Sequence, residues 1–223
     1  MSKPSPTKAF NESIFPLMEL DGFHKVNTKF YIRLNDEILQ WIDLDVDSRL
    51  RRSFRIGYGT MLRASPKDSF TKRIGGDFTR LSSGGSYGAF SDAALEKSIE
   101  RVKVAYLEEV KVLLDNTYNV TSYLASIHSY IKDNPNSSNT GHEDFELACS
   151  YAILGEYSKA KKYASQAKEK YKTKSYDWAI TAGKNAEFLE IECSQKETPI
   201  LNMWKMYTDK SLKLKKIQKY EKT

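Results

Sequence analysis

The stretch WIDLDVDSRLRR, residues 41–52, sets Asp43, Asp45 and Asp47 at every second position and follows them with Arg49, Arg51 and Arg52. Three carboxylates in this pattern open three chemistries: calcium binding, a catalytic carboxylate pair, or ion pairing. An EF-hand loop beginning at Asp43 would need glycine at its sixth position and a carboxylate at its twelfth, where the chain has Ser48 and Phe54. Alternate residues of a strand share a face about 7 Å apart, from a rise of ~3.4 Å per residue, so Asp43 and Asp45 could serve a metal-assisted hydrolase. Arg51 and Arg55, on the same face of the following strand, answer the aspartates equally well as cross-strand ion pairs. The same outer face is expected to carry Tyr31, Arg33 and Trp41, and aromatics beside arginines are the composition of a protein-binding patch. The candidate binding surface is therefore Tyr31, Arg33, Trp41, Asp43, Asp45, Arg51 and Arg55. A helix covering this face would make its aromatics core instead, and stacking of single-stranded nucleic acid is a third use, which the aspartates oppose.

Other chemistry-bearing residues are scattered. His24, His128 and His142 lack the paired spacing of a zinc site or a triad. Cys149 and Cys193 stand without a CxxC in helical surroundings and are expected to be reduced thiols. Ser82-Ser83-Gly84-Gly85-Ser86 precedes a helix and could cradle a phosphate, but it lacks the Walker lysine and reads better as a loop. No catalytic residue, metal or cofactor is assigned.

The elements that would position these residues follow from periodicity. A short helix over Phe10 to Leu20, weakened at Pro16 and closed by Asp21-Gly22, precedes three strands at about 23–34, 37–46 and 51–62. In the first, Phe30, Ile32 and Leu34 alternate with Tyr31 and Arg33; a turn at Asn35-Asp36 leads to the second. There Ile38, Gln40, Ile42, Leu44 and Val46 alternate with Leu39, Trp41, Asp43 and Asp45. Links this short exclude parallel pairing. From Ser91, an N-cap, helices are expected at about 91–116, with the stripe Leu95, Ile99, Val102, Tyr106, Val110 and Leu113, and at about 120–132. Residues 134–141 read as a linker, dividing an α+β domain at 1–133 from a helical domain at 142–223. The predicted fold class is α+β: a small antiparallel meander packed with helices, then an all-α, partly repeat-like C-terminal region.

The chain has 223 residues and a formal charge of +6. Lys210, Lys213, Lys215, Lys216 and Lys219 concentrate that excess at the C-terminus and supply an alternative reading, a nucleic-acid-binding helix. No run of about 18 apolar residues suggests a membrane span, and the start lacks an apolar leader, so no membrane partner and a cytoplasmic location are expected.

Two resemblances add to this. Residues 145–171, FELACSYAILGEYSKAKKYASQAKEKY, resemble one tetratricopeptide repeat through Leu147, Ala148, Tyr151, Gly155, Tyr157, Ala160 and Ala167, with departures at Asp144, Ala164 and Lys172. Gly22-Phe23-His24-Lys25, Phe30-Tyr31-Ile32-Arg33 and Ile38-Leu39-Gln40-Trp41-Ile42 are similar to a bacterial family known only as domain of unknown function 4304. That likeness implies a sheet followed by helices over about the first 130 residues, and it transfers no catalytic residue. Together these features favour a non-enzymatic, bacterial-type protein-binding or accessory protein, with a toxin-neutralising role among the options. Nucleic-acid binding through the terminal lysines and metal-assisted hydrolysis by Asp43 and Asp45 are the alternatives.

Overall fold

The computed structural model describes residues 5–47, 53–66, 74–78, 86–135, 140–195 and 199–211. The chain opens with two short helices where one was expected, α1 (Pro6–Ser13) and α2 (Phe15–Leu20). Ser5 caps α1 by accepting the Lys8 N–H at 3.3 Å. Pro16 sits in the first turn of α2, where its missing N–H costs nothing. Gly22, at φ 84°, takes the left-handed conformation that turns the chain into the sheet.

Among the described residues six strands follow, all paired antiparallel: β1 (His24–Asn27), β2 (Phe30–Leu34), β3 (Ile38–Val46), β4 (Ser53–Leu62), β5 (Ile74–Asp77) and β6 (Tyr87–Gly88). Their order is β1-β2-β3-β4-β5, with β6 pairing β4 off that path. The single strand expected at 23–34 is in fact the β1–β2 hairpin, whose turn is held by the Asn27 side chain accepting the Lys29 N–H at 2.8 Å. The next turn is shifted one residue from expectation. Asn35 and Ile38 close it, leaving Asp36 and Glu37 at the tip, and the Asn35 carboxamide oxygen accepts the N–H groups of both Glu37 and Ile38.

Register decides which side chains share a face, and it overturns one expectation. Tyr31 pairs with Ile42, Arg33 with Gln40, Phe30 with Asp43 and Ile32 with Trp41. Tyr31 and Arg33 therefore lie on the helix-covered face with Ile42 and Leu44, not on the face of Trp41. Tyr31 is fully buried, its ring 5.4 Å from Phe10 and 5.3 Å from Phe15. Burial pushes its phenol up to about 12, and the hydroxyl donates to the Thr28 carbonyl at 2.8 Å. Of the two parities of β2, Tyr31 and Arg33 carry polar ends, and the purely apolar one, Phe30, Ile32 and Leu34, is not the one facing the helices. It makes a separate cluster with Leu39, Trp41 and Met61 on the other face.

The helical layer comprises α3 (Asp92–Ala105), a π-helical turn (Tyr106–Val110), α4 (Lys111–Asp115) and α5 (Val120–Asp133). Ser91 caps α3 through the Ala94 N–H, as its position before the apolar stripe predicts. Helices α6 (His142–Ile153), α7 (Tyr157–Lys172), α8 (Asp177–Gln195) and α9 (Pro199–Ser211) follow. Between α6 and α7, Gly155 adopts φ 74°. Ala160, Ala164 and Ala167 of α7 are all fully buried and let the neighbouring helices approach closely.

The molecule is thus α+β, with an antiparallel sheet and a helical C-terminal region. One core cluster joins α1, α2 and the inner sheet face to α3 and α4. A second joins Ile38, Leu62 and Ile74 of the sheet to α5 through α9, so residues on both sides of 134–141 share it. Helix α9 returns to the end of β4: Arg63 bridges Asp209 at 2.7 Å, and Thr208 donates to the Ser65 carbonyl at 2.5 Å. No helix among the described residues is long and apolar enough to cross a membrane.

Candidate functional site

The seven residues of the expected outer-face surface are dispersed by the fold. Tyr31 and Arg33 are buried beneath the helices, Trp41 is 2% exposed within its own apolar cluster, and Arg51 lies outside the described residues. Asp43, Asp45 and Arg55 remain together. Asp45 stands directly opposite Arg55, as cross-strand charge pairing requires, and Asp43 stands opposite Gly57. Gly57 in turn opposes Asp77 of β5. A residue without a side chain thus sits between two aspartates, leaving a polar cleft of about 340 Å³ lined by Lys29, Asp43, Asp45, Arg55, Gly57 and Asp77. Asp43 and Asp77 are two strand spacings apart, ~10 Å between backbones. Two cations offset three carboxylates here, and among the described residues no three carboxylate, imidazole or thiol groups are placed to hold a metal ion. The cleft is suited to fixing the strands' register through charge more than to polarising a substrate.

Arg33 has a structural task instead. Its Nε donates to Gln40 Oε1 at 2.7 Å, and one terminal nitrogen donates to Asp115 Oδ1 at 2.7 Å and to the Asp21 carbonyl at 3.2 Å. The guanidinium lies 5.1 Å from the Phe23 ring and 4.8 Å from that of Tyr118. Gln40 passes the network inward, donating to the Leu114 carbonyl and to Thr117 Oγ1, which also meets Thr60 at 2.9 Å. Sheet and helix are joined here by a chain of buried polar contacts.

The π turn completes this junction. Its defining hydrogen bond runs from the Lys111 N–H to the Tyr106 carbonyl, five residues back. In an α-helix, residues five apart diverge by about 140°; the wider turn brings Tyr106 and Lys111 to one side. Both then reach one carboxylate: the Tyr106 hydroxyl donates to Asp21 Oδ2 at 2.6 Å and Lys111 Nζ lies 2.9 Å from Asp21 Oδ1. Burial, together with that bond to Asp21, holds the Tyr106 phenol well above its usual range. The Lys111 ammonium is held above its ordinary value by the hydrogen bonds it donates to Asp115 and Asp21.

On its other side the π turn opens a groove. Glu108, Glu109, Val112, Leu113 and Asn116 form one wall, Ser126, Ser129 and Tyr130 of α5 another, and Ile74 and Gly75 of β5 the third, around about 570 Å³. That lies within the ~300–1,000 Å³ of ordinary binding clefts. Gly75 is required where it stands: at φ 148°, a Cβ would come within 2.3 Å of the Tyr58 carbonyl oxygen. Among the described residues β5 is the last strand of the sheet order, so this wall of the groove is the edge of the described sheet. Among the described residues, the groove's charged lining is two glutamates. Its field is felt at Tyr58, whose phenol is raised by burial and then by Glu109 and Asp77.

Sequence reasoning missed this groove, because its walls come from three distant segments and no motif marks them. The remaining candidates have structural partners or lie elsewhere. His128 meets the Tyr151 hydroxyl and His142 that of Tyr171, each at 3.0 Å. Both cysteines are buried thiols outside any disulfide. Lys210 is in the last turn of α9, whereas Lys213, Lys215, Lys216, Lys219 and the loop residues 82–85 lie outside the described residues. Three lysines in the second half of α7 are answered by carboxylates: Lys168 by Glu190 at 2.5 Å, Lys170 by Asp144 at 2.6 Å and Lys172 by Glu169 at 2.6 Å. Comparison with protein-family models, curated proteins and solved structures finds no match.

Proposed function

We propose that this is a non-enzymatic binding protein that takes a basic, partly apolar segment of another protein into the groove between β5, the π turn and α5. The observation that carries this reading is the groove's charge. On a chain of net charge +6, the charged residues among this cleft's described lining are all carboxylates. A lysine or arginine of the partner would meet Glu108 or Glu109, its stem would lie on Val112 and Leu113, and the serine hydroxyls would take backbone or side-chain hydrogen bonds. An extended segment could also run along the edge of β5, a recurring mode of peptide recognition. Charge of this kind contributes most to encounter rate and partner choice.

A photo-crosslinking amino acid at Ser129, in the full chain expressed in its host, tests this. The expected result is a discrete adduct that disappears in Glu108→Lys/Glu109→Lys, two exposed substitutions that should leave thermal stability unchanged. An adduct that survives the charge reversal, or that forms equally well from a position on α1, would refute the reading.

A further inference from the structure

Helix α9 ends at the same end of the sheet as the groove at the π turn. Asp209, in its final turn, pairs with Arg63 at 2.7 Å, and Arg63 also donates to the Asn35 carbonyl at 2.8 Å. The Asn35 carboxamide in turn donates to the carbonyl of Tyr118, the residue that follows Asn116 and Thr117 of the groove's lining. The end of β4 gives the same placement from the other side. Thr208 donates to the Ser65 carbonyl, Ser65 stands five residues beyond Thr60, and Thr60 pairs with Ile74 of the groove wall. Five residues of strand span at most ~17 Å and one strand spacing ~5 Å. The last turn of α9 therefore lies within about 25 Å of the groove by strand geometry.

We propose that the chain's own C-terminal segment, residues 212–223, binds in this groove and competes there with the foreign segment. The inference rests on the groove reading given above and concerns how that site is regulated. The segment, LKLKKIQKYEKT, follows Ser211 directly and is known here by its sequence alone. A fully extended run of that length spans ~40 Å, more than the gap requires. Its composition is the one the groove selects. Lys213, Lys215, Lys216, Lys219 and Lys222 outnumber Glu221, and Leu212, Leu214, Ile217 and Tyr220 are interleaved with them. Glu108 and Glu109 would take two ammonium groups, and Val112, half exposed beside them, would take an apolar side chain. Tethering supplies the rest. A segment held this close to its site has an effective concentration of about 1 mM. With an intrinsic dissociation constant of ~100 µM it would fill the groove about ten times more often than not, and weaken a competitor's apparent affinity about tenfold.

A benzophenone amino acid at Ser129 of the purified full chain, with no other protein present, reads the contact directly. Illumination should join position 129 to residues 212–223 of the same molecule, mapped by mass spectrometry on a mixture of isotopically light and heavy chains. The consequence for binding is read by fluorescence anisotropy with a labelled peptide of sequence LKLKKIQKYEKT. The full-chain variant Lys213→Gln/Lys215→Gln/Lys216→Gln, checked for unchanged thermal stability, should bind this peptide about tenfold more tightly than the wild type. Adding Glu108→Lys/Glu109→Lys to that variant should abolish the binding. Crosslinks to the tail of a second copy, or none to the tail at all, would overturn the proposal, as would peptide binding that survives the glutamate reversal. Equal affinity for wild type and tail variant would also overturn it, while leaving the groove a binding site for other basic segments. A peptide bound by neither chain would refute the groove reading as well.

Discussion

Replacing Arg33 by methionine tests whether the junction between sheet and helices is a stability element, as its geometry implies. Methionine preserves the apolar stem, which lies among Phe23 and Tyr118, and removes only the guanidinium. Three losses follow. Gln40 is fully buried, and its Oε1 would lose the donor that now sits 2.7 Å away, a cost of about 1–3 kcal/mol for a buried acceptor. The guanidinium's attraction to two aromatic faces goes, worth about 0.5–1 kcal/mol each and partly restored by the thioether. The Asp115 pair counts for little: its carboxylate side chain is 44% exposed and keeps Lys111 at 2.7 Å, so the full ~3–5 kcal/mol of a broken buried pair does not apply. The sum is about 3 kcal/mol, equivalent to a fall in Tm of about 6–12 °C for a chain of this size. Urea unfolding followed by far-ultraviolet circular dichroism measures it. A loss below about 1 kcal/mol with an unchanged slope would show that water or neighbouring groups replace the guanidinium, and the inference from burial would fail.

Trp41→Ala separates core from contact surface: with the indole only 2% exposed, the variant should lose about 3–5 kcal/mol of stability, and an unchanged Tm would return Trp41 to the surface. The Asp21–Lys111–Asp115 cluster makes stability pH-dependent in a defined sense. Burial pushes Asp115 up, but hydrogen bonds from Lys111 and Arg33 outweigh it and its folded pKa ends lowered; its contribution is present above the unfolded value of about 3.9 and is lost as pH falls through the folded one. Lys111 is raised, so its contribution is present below the unfolded value of about 10.4 and is lost as pH rises through the folded one. Urea titrations across pH should show Asp115→Asn flattening the acid limb and shallowing the alkaline one; an unaltered profile would remove Asp115 from the cluster's electrostatics.

How much of this was legible in the sequence differs from strand to strand. β3 alternates Ile38, Ile42 and Leu44 with Asp43 and Asp45, so its inner face could be read directly, and β4 followed from it. β2 could not be read in the same way. Tyr31 and Arg33 look like surface residues until their polar ends are seen to be bonded inside, to the Thr28 carbonyl and to Gln40, Asp21 and Asp115. The helix from Ser91 was visible, but not its π turn, although a signal existed. Val102, Tyr106, Val110 and Leu114 are all fully buried and recur every four residues. At ~3.6 residues per turn each such step drifts by about 40°, so a regular helix would swing this row across the full width of an apolar stripe. The wider turn absorbs that drift.

The same turn explains why the groove lies where it does. Bringing Tyr106 and Lys111 to the Asp21 side consumes the extra residue of the π turn, and Glu108 and Glu109, between them, are left facing outward. Leu113, one turn further on, lines the groove and packs against both core clusters. The groove is thus built on the seam between the sheet's core and the helical core. Its acidic wall is set by the polar junction through Asp21, and its opposite wall by Ile74 of the second cluster. In the proposed reading, a partner seated there contacts elements belonging to both cores at once. Its binding would therefore be linked to the integrity of the Arg33–Asp115 junction, even though neither residue lines the groove.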